Sequence, residues 1–203
     1  MCMIIENNNV SFGIRIPISQ FSQLANEHLI QNTKTNRIEV DAIDLIREEF
    51  PNNKIELFIQ DVCTWGHYPG IAKRVLNNNS LIKIRNAFRD ARRRLTATPI
   101  DLAGALDSVN RVYGLGTPSF ASKHLRFLDP QHCPVFDSIL RKSLPYSFNS
   151  QGYAGFASDC SLIASELNRL EIQNPFEGRN GIWYAADVEA ALFIFCKNAN
   201  GIA

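Results

Sequence analysis

Residues 113–140 read YGLGTPSFASKHLRFLDPQHCPVFDSIL, and the punctuation of this stretch decides the fold. A helix from about Ile100 to Tyr113 precedes it, with Leu102, Ala105, Leu106, Val109 and Tyr113 on one face. Gly114-Leu115-Gly116 is expected to make a tight turn, because glycine tolerates the positive φ such turns need. Thr117 is placed as N-cap and Pro118 at the first helical position, so a second helix starts at once. Ala121, Leu125 and Leu128 give that helix an apolar stripe, and Leu115 plugs the groove between the two helices. The unpaired N–H groups of the turn and of the second helix, with the helix dipole, suit an anion such as a backbone phosphate.

Outward from the hairpin, the chain reads as short helices. Ile18, Phe21, Leu24, Ala25 and Leu29 follow helical spacing after Pro17. Asp41 is read as the cap of a helix over 42–50 that Pro51 ends. Ile55, Phe58, Ile59 and Val62 repeat the pattern, and Trp65-Gly66-His67-Tyr68-Pro69-Gly70 is a turn. A strongly amphipathic helix covers Ser80 to about Leu95. Later helices are expected at 138–144, 153–170 and 185–197. Without a run of alternating strands, the expected fold class is all-α, with at most a short extended piece near the N-terminus.

The 203 residues carry 45% apolar and 20% charged side chains, an ordinary globular composition. One helical domain over 1–203 is expected, with its hairpin core at about 100–128. The net charge of +1 excludes a uniformly basic coat. Charge is nevertheless uneven. Lys73 to Arg94 holds eight basic residues and one acid, a net +7, which leaves −6 for the remainder. Arg85, Arg89, Arg92 and Arg93 are therefore candidates for a phosphate-facing patch, and a solvated helix face accounts for them equally well. Five scattered cysteines without a C-x-x-C pair argue against disulfides, an iron–sulfur cluster or a zinc ribbon, and fit reduced thiols. No basic region followed by an apolar one opens the chain, and no apolar run approaches the ~20 residues of a membrane span. A cytoplasmic location, at the nucleoid if bacterial, is expected.

The helix, the G-L-G turn, the second helix and the downstream Pro134-Val135-Phe136-Asp137 together resemble the helix–hairpin–helix DNA glycosylase superfamily. Within it, the chain looks most like the 8-oxoguanine glycosylase (OGG-fold) branch. The resemblance covers about Leu102 to Leu140. It implies base-excision repair of an oxidised purine in double-stranded DNA by a monomer, without cofactor or metal. It also implies phosphate contacts at Gly114, Gly116 and Thr117, and a catalytic aspartate at Asp137. Asp137 is equally well placed to cap the helix from Ser138.

The bifunctional members carry a lysine directly after the hairpin, in the pattern G-V-G-T-K-V-A-D. Here the sequence is G-L-G-T-P-S-F-A-S-K, so that position holds Pro118, or Ser119 with one inserted residue. Phe136 is a second departure, adding one residue before Asp137. Lys123, one helical turn beyond Ser119, is the replacement candidate for the Schiff-base nucleophile of an AP lyase. A neutral lysine there needs desolvation or a cationic neighbour to lower its pKa, and Arg126 and Arg141 are the candidate neighbours. Trp65 and Phe193 are candidates for stacking on the base, although each is an ordinary core residue on the alternative reading. His124, His132 and Cys133 lack metal-ligand spacing. Two other readings fit the same residues: a non-catalytic DNA-binding module, and a helical protein-interaction domain.

Overall fold

The computed structural model describes residues 4–6, 9–11 and 14–201, so Cys2 lies outside the described residues. The chain is predominantly helical. Among the described residues there are ten α-helices: α1 (Phe21–Gln31), α2 (Thr35–Arg47), α3 (Asn52–Trp65), α4 (Pro69–Asn78), α5 (Leu81–Leu95), α6 (Leu102–Asn110), α7 (Pro118–Leu128), α8 (Ser138–Ser143), α9 (Ser150–Arg169) and α10 (Ala185–Ala199). A buried apolar cluster runs without a break from Val10 to Cys196.

The N-terminus forms more than one extended piece. Strands β1 (Ile4–Glu6), β2 (Asn9–Ser11) and β3 (Arg15–Pro17) make an antiparallel meander, with Val10 opposite both Ile5 and Ile16. Val10 and Ile16 are buried beneath it. Three-residue strands are too short to show a period of two.

The reading of Asp41 as a cap is corrected. Asp41 lies inside α2, which starts at Thr35 without a side-chain cap, after a turn in which Thr35 Oγ1 donates to the Asn32 carbonyl (2.8 Å). The helix ends at Arg47 because Glu49 and Phe50 adopt positive φ. The segment 69–78, for which no helix is expected from the sequence, is α4, opened by Pro69.

Around the hairpin, α6 is shorter than expected. Asp101 caps it by accepting from Gly104 N (2.8 Å), and it ends at Asn110. The chain then turns through residues 111–117. Gly114 takes φ +94°, where a Cβ would meet Val75 Cγ2 at 2.9 Å. Gly116 has no positive φ, so only the first glycine is required by backbone geometry. Leu115 is fully buried. Thr117 is the N-cap of α7 by position, but its side chain makes no capping hydrogen bond, which leaves the first-turn N–H groups of α7 uncapped.

Candidate functional site

One cavity of about 340 Å³ collects side chains from five places in the chain. Small-molecule sites span roughly 300–1,000 Å³. From α1 come His28 and Gln31, and from the α3–α4 turn come Trp65, Gly66 and Tyr68. Lys123 comes from α7. Val135, Asp137 and Ser138 come from the start of α8, and Glu189, Phe193 and Lys197 from α10. The last three fall at i, i+4 and i+8, one face of one helix.

Lys123 is 7% exposed. Its Nζ donates to Ser119 Oγ one turn back (3.2 Å) and lies 5.9 Å from the centre of the Tyr68 ring. Burial holds this amine below the usual lysine pKa, against the opposing pull of Asp137. Of the two expected causes, desolvation and a cationic neighbour, the cation is not the one at work. Arg126 is wholly buried and spent on Glu39 (2.6 Å), and Arg141 lies over the Phe148 ring. Desolvation supplies the effect.

Asp137 caps α8, its Oδ1 accepting from Ile139 N (2.9 Å) and Leu140 N (3.1 Å). No hydrogen bond reaches Oδ2 among the described residues. Capping therefore occupies one oxygen of a residue that also lines the cavity.

The aromatic walls divide their roles. Trp65 Nε1 donates to Thr35 Oγ1 (2.9 Å), and its ring meets Phe127 edge-on at 5.0 Å, so the residue is anchored in the core while lining the cavity. Phe193 is half-buried and meets the His28 ring at a right angle, 6.0 Å away. His28 is held neutral, its pKa pushed down to about 3 by burial and by Arg126.

Gly66 presses on the amine. A Cβ there would stand 2.8 Å from Lys123 Cδ and 3.0 Å from Cε. Because these are atoms of a flexible stem, Gly66→Ala is expected to displace the amine rather than unfold the chain. A displacement near 1 Å should slow any reaction at Nζ by roughly tenfold to a hundredfold. A thermal melt beside a single-turnover assay checks this: a large loss of melting temperature, or an unchanged rate, contradicts it.

The other sequence candidates lie elsewhere. Gly114, Gly116 and Thr117 do not line the cavity. Neither do the four arginines, most of which are already engaged. Arg89 pairs with Glu49 and Arg93 with Asp90, while Arg92 donates to the Leu128 carbonyl (3.3 Å) and Asp129 (3.4 Å). Arg85 makes no ion pair among the described residues, and its buried Nε has no partner. Arg74, not singled out in the sequence, has its Cδ 3.7 Å from where a Gly114 Cβ would stand. Glu189 and His28 were also missed. A lone glutamate in the apolar run AADVEAALFIFC, four residues before Phe193, was the available signal.

Among the described residues, no group of three or more His, Cys, Asp or Glu side chains is arranged to hold a metal, and no helix is long and apolar enough to cross a membrane. Cys63, Cys133, Cys160 and Cys196 are buried and unpaired. Comparisons with protein-family models, curated proteins and solved structures give no match to this chain.

Proposed function

We propose that this protein is a DNA glycosylase of the helix–hairpin–helix kind, excising an oxidised purine such as 8-oxoguanine, with AP-lyase activity through Lys123. One observation carries the reading: a desolvated primary amine and a carboxylate line the same aromatic-walled cavity. An extruded nucleotide gives up stacking in the duplex, and Trp65, Tyr68 and Phe193 offer ring faces and edges in exchange.

The chemistry follows from the placement. In its unprotonated form, which burial favours, the Lys123 amine attacks C1′ as the glycosidic bond breaks. Asp137 stabilises the positive charge that builds on the sugar and takes the proton released by the amine. The resulting Schiff base permits strand cleavage by β-elimination. The uncapped start of α7, with Arg74 beside the turn, is suited to a phosphate of the backbone, a contact that positions the duplex without reading bases.

The test is a duplex containing one 8-oxoguanine, incubated with the protein and borohydride. Release of the free base and a covalent protein–DNA complex are expected. Salt-sensitive binding with neither product favours a non-catalytic module, and absence of binding even at low salt favours a protein-interaction domain.

A further inference from the structure

Glu189 is a cavity carboxyl that the chemistry above leaves unused. It is 3% exposed, in the middle of α10, among alanines and apolar side chains. Val135 N donates to its Oε2 at 3.3 Å, and Oε1 accepts no hydrogen bond among the described residues. Burying a carboxyl with an open oxygen is costly, and a leucine would serve packing better. The groups around it are Lys123 and Arg126 from α7, Asp137 from the start of α8, Cys160 from α9 and Cys196 on its own helix. His28 of α1 shares the cavity.

We propose that Glu189 is the general acid of this site, passing its carboxyl proton to the departing base. The step rests on the glycosylase reading and extends it. As the C1′–N9 bond breaks, its electron pair leaves with the base. The base takes the proton from Glu189 and departs neutral, leaving a carboxylate. The Lys123 nitrogen forms the new bond to C1′ and gives its proton to Asp137. Protons and charge balance without any outside reagent.

The environment keeps the required proton in place. Burial, reinforced by Asp137, lifts Glu189 from its ordinary 4.5 to about 8, so the acid form persists at neutral pH. The site thus holds one carboxyl as a donor and another, at a helix N-terminus, as an acceptor.

Glu189→Gln keeps the shape and hydrogen bonding but cannot give up a proton. Release of 8-oxoguanine in a single turnover is expected to fall on the order of a hundredfold. Borohydride trapping on a duplex with a preformed abasic site, where no base departs, should stay within about threefold of the wild type. Wild-type base release should decline above pH about 8, and that decline should be absent in the variant. Base release by the variant at the wild-type rate overturns the assignment. So does equal loss of base release and abasic-site trapping, which would make Glu189 a partner of Lys123 instead. Failure of the wild type to act on either duplex overturns the glycosylase reading itself. A melting series gives an independent check of the proton. The unfolded carboxyl ionises near 4.5 and the folded one near 8, so wild-type stability relative to Glu189→Gln should fall between those pH values and level off above them. A pH-independent difference would also count against the assignment.

Discussion

Lys123→Met is expected to abolish borohydride trapping on an 8-oxoguanine duplex while making the protein more stable. The loss follows from removing the cavity amine of α7, which interacts with both Asp137 and Glu189. The gain follows from linkage. Burial lowers the folded-state pKa of Lys123, so the unfolded chain binds its proton more readily. Stability held back by this group is restored only as pH rises toward the ordinary lysine value of 10.5. Methionine fills the same space without a charge, so its advantage should grow as pH falls below that value. Melting temperatures at pH 6 and pH 9, beside the trapping assay, check both halves. A variant that is less stable and still traps DNA would contradict both. A residue whose removal stabilises the fold is one that folding alone does not explain.

Glu39→Leu is expected to cost the most stability, about 3–5 kcal/mol. Glu39 of α2 accepts from Arg126 of α7 (2.6 Å) and from Arg179 at 2.8 and 2.9 Å. Arg179 in turn donates to Asp187 of α10 (2.9 Å). One carboxylate therefore joins three parts of the chain, and deleting it strands the buried Arg126 guanidinium and leaves Arg179 to Asp187 alone. Arg126 has no partner to spare, since its Nε and second terminal nitrogen are already without hydrogen bonds. At a few degrees per kcal/mol for a chain of this size, the melting temperature should drop by roughly 10 °C. Adding Arg126→Met should recover part of the loss, because it removes the stranded charge. A change under about 2 °C for the single variant would show that the network is not holding the helices together. Arg126 also lies 5.6 Å from the Trp65 ring, so the cavity wall should loosen with it.

The helical part of the fold was legible because its signals are local. The stripe of Leu81, Ile84, Phe88, Ala91 and Leu95 repeats at the helical period, and all but the half-buried Leu81 are buried. Asp137 before Ser138 is a capping pattern, and its side chain does cap α8. What failed was information carried by other parts of the chain. Asp41 looks like a cap beside its sequence neighbours, yet α2 starts from the Asn32–Thr35 turn. The arginines of α5 look free until Glu49 and Asp129, forty and thirty-seven positions away, are brought to them. Gly116 resembles Gly114 in sequence, and only the backbone separates them. The convergence of Lys123, Asp137, Trp65 and Phe193 on one cavity depends on packing among α3, α7, α8 and α10, which no spacing rule reaches. Glu189 was hidden for the opposite reason. Its neighbours announce a buried helix face, and a burial pattern says nothing of a carboxyl kept there for its proton.

The most direct test of the central claim is to find which atom bonds to the sugar. After borohydride reduction on an 8-oxoguanine duplex, nuclease digestion of the DNA and proteolysis of the protein, mass spectrometry should place the sugar remnant on the Lys123 side chain. An adduct on Lys197, the other lysine of the cavity, or on no lysine of the protein would contradict the account.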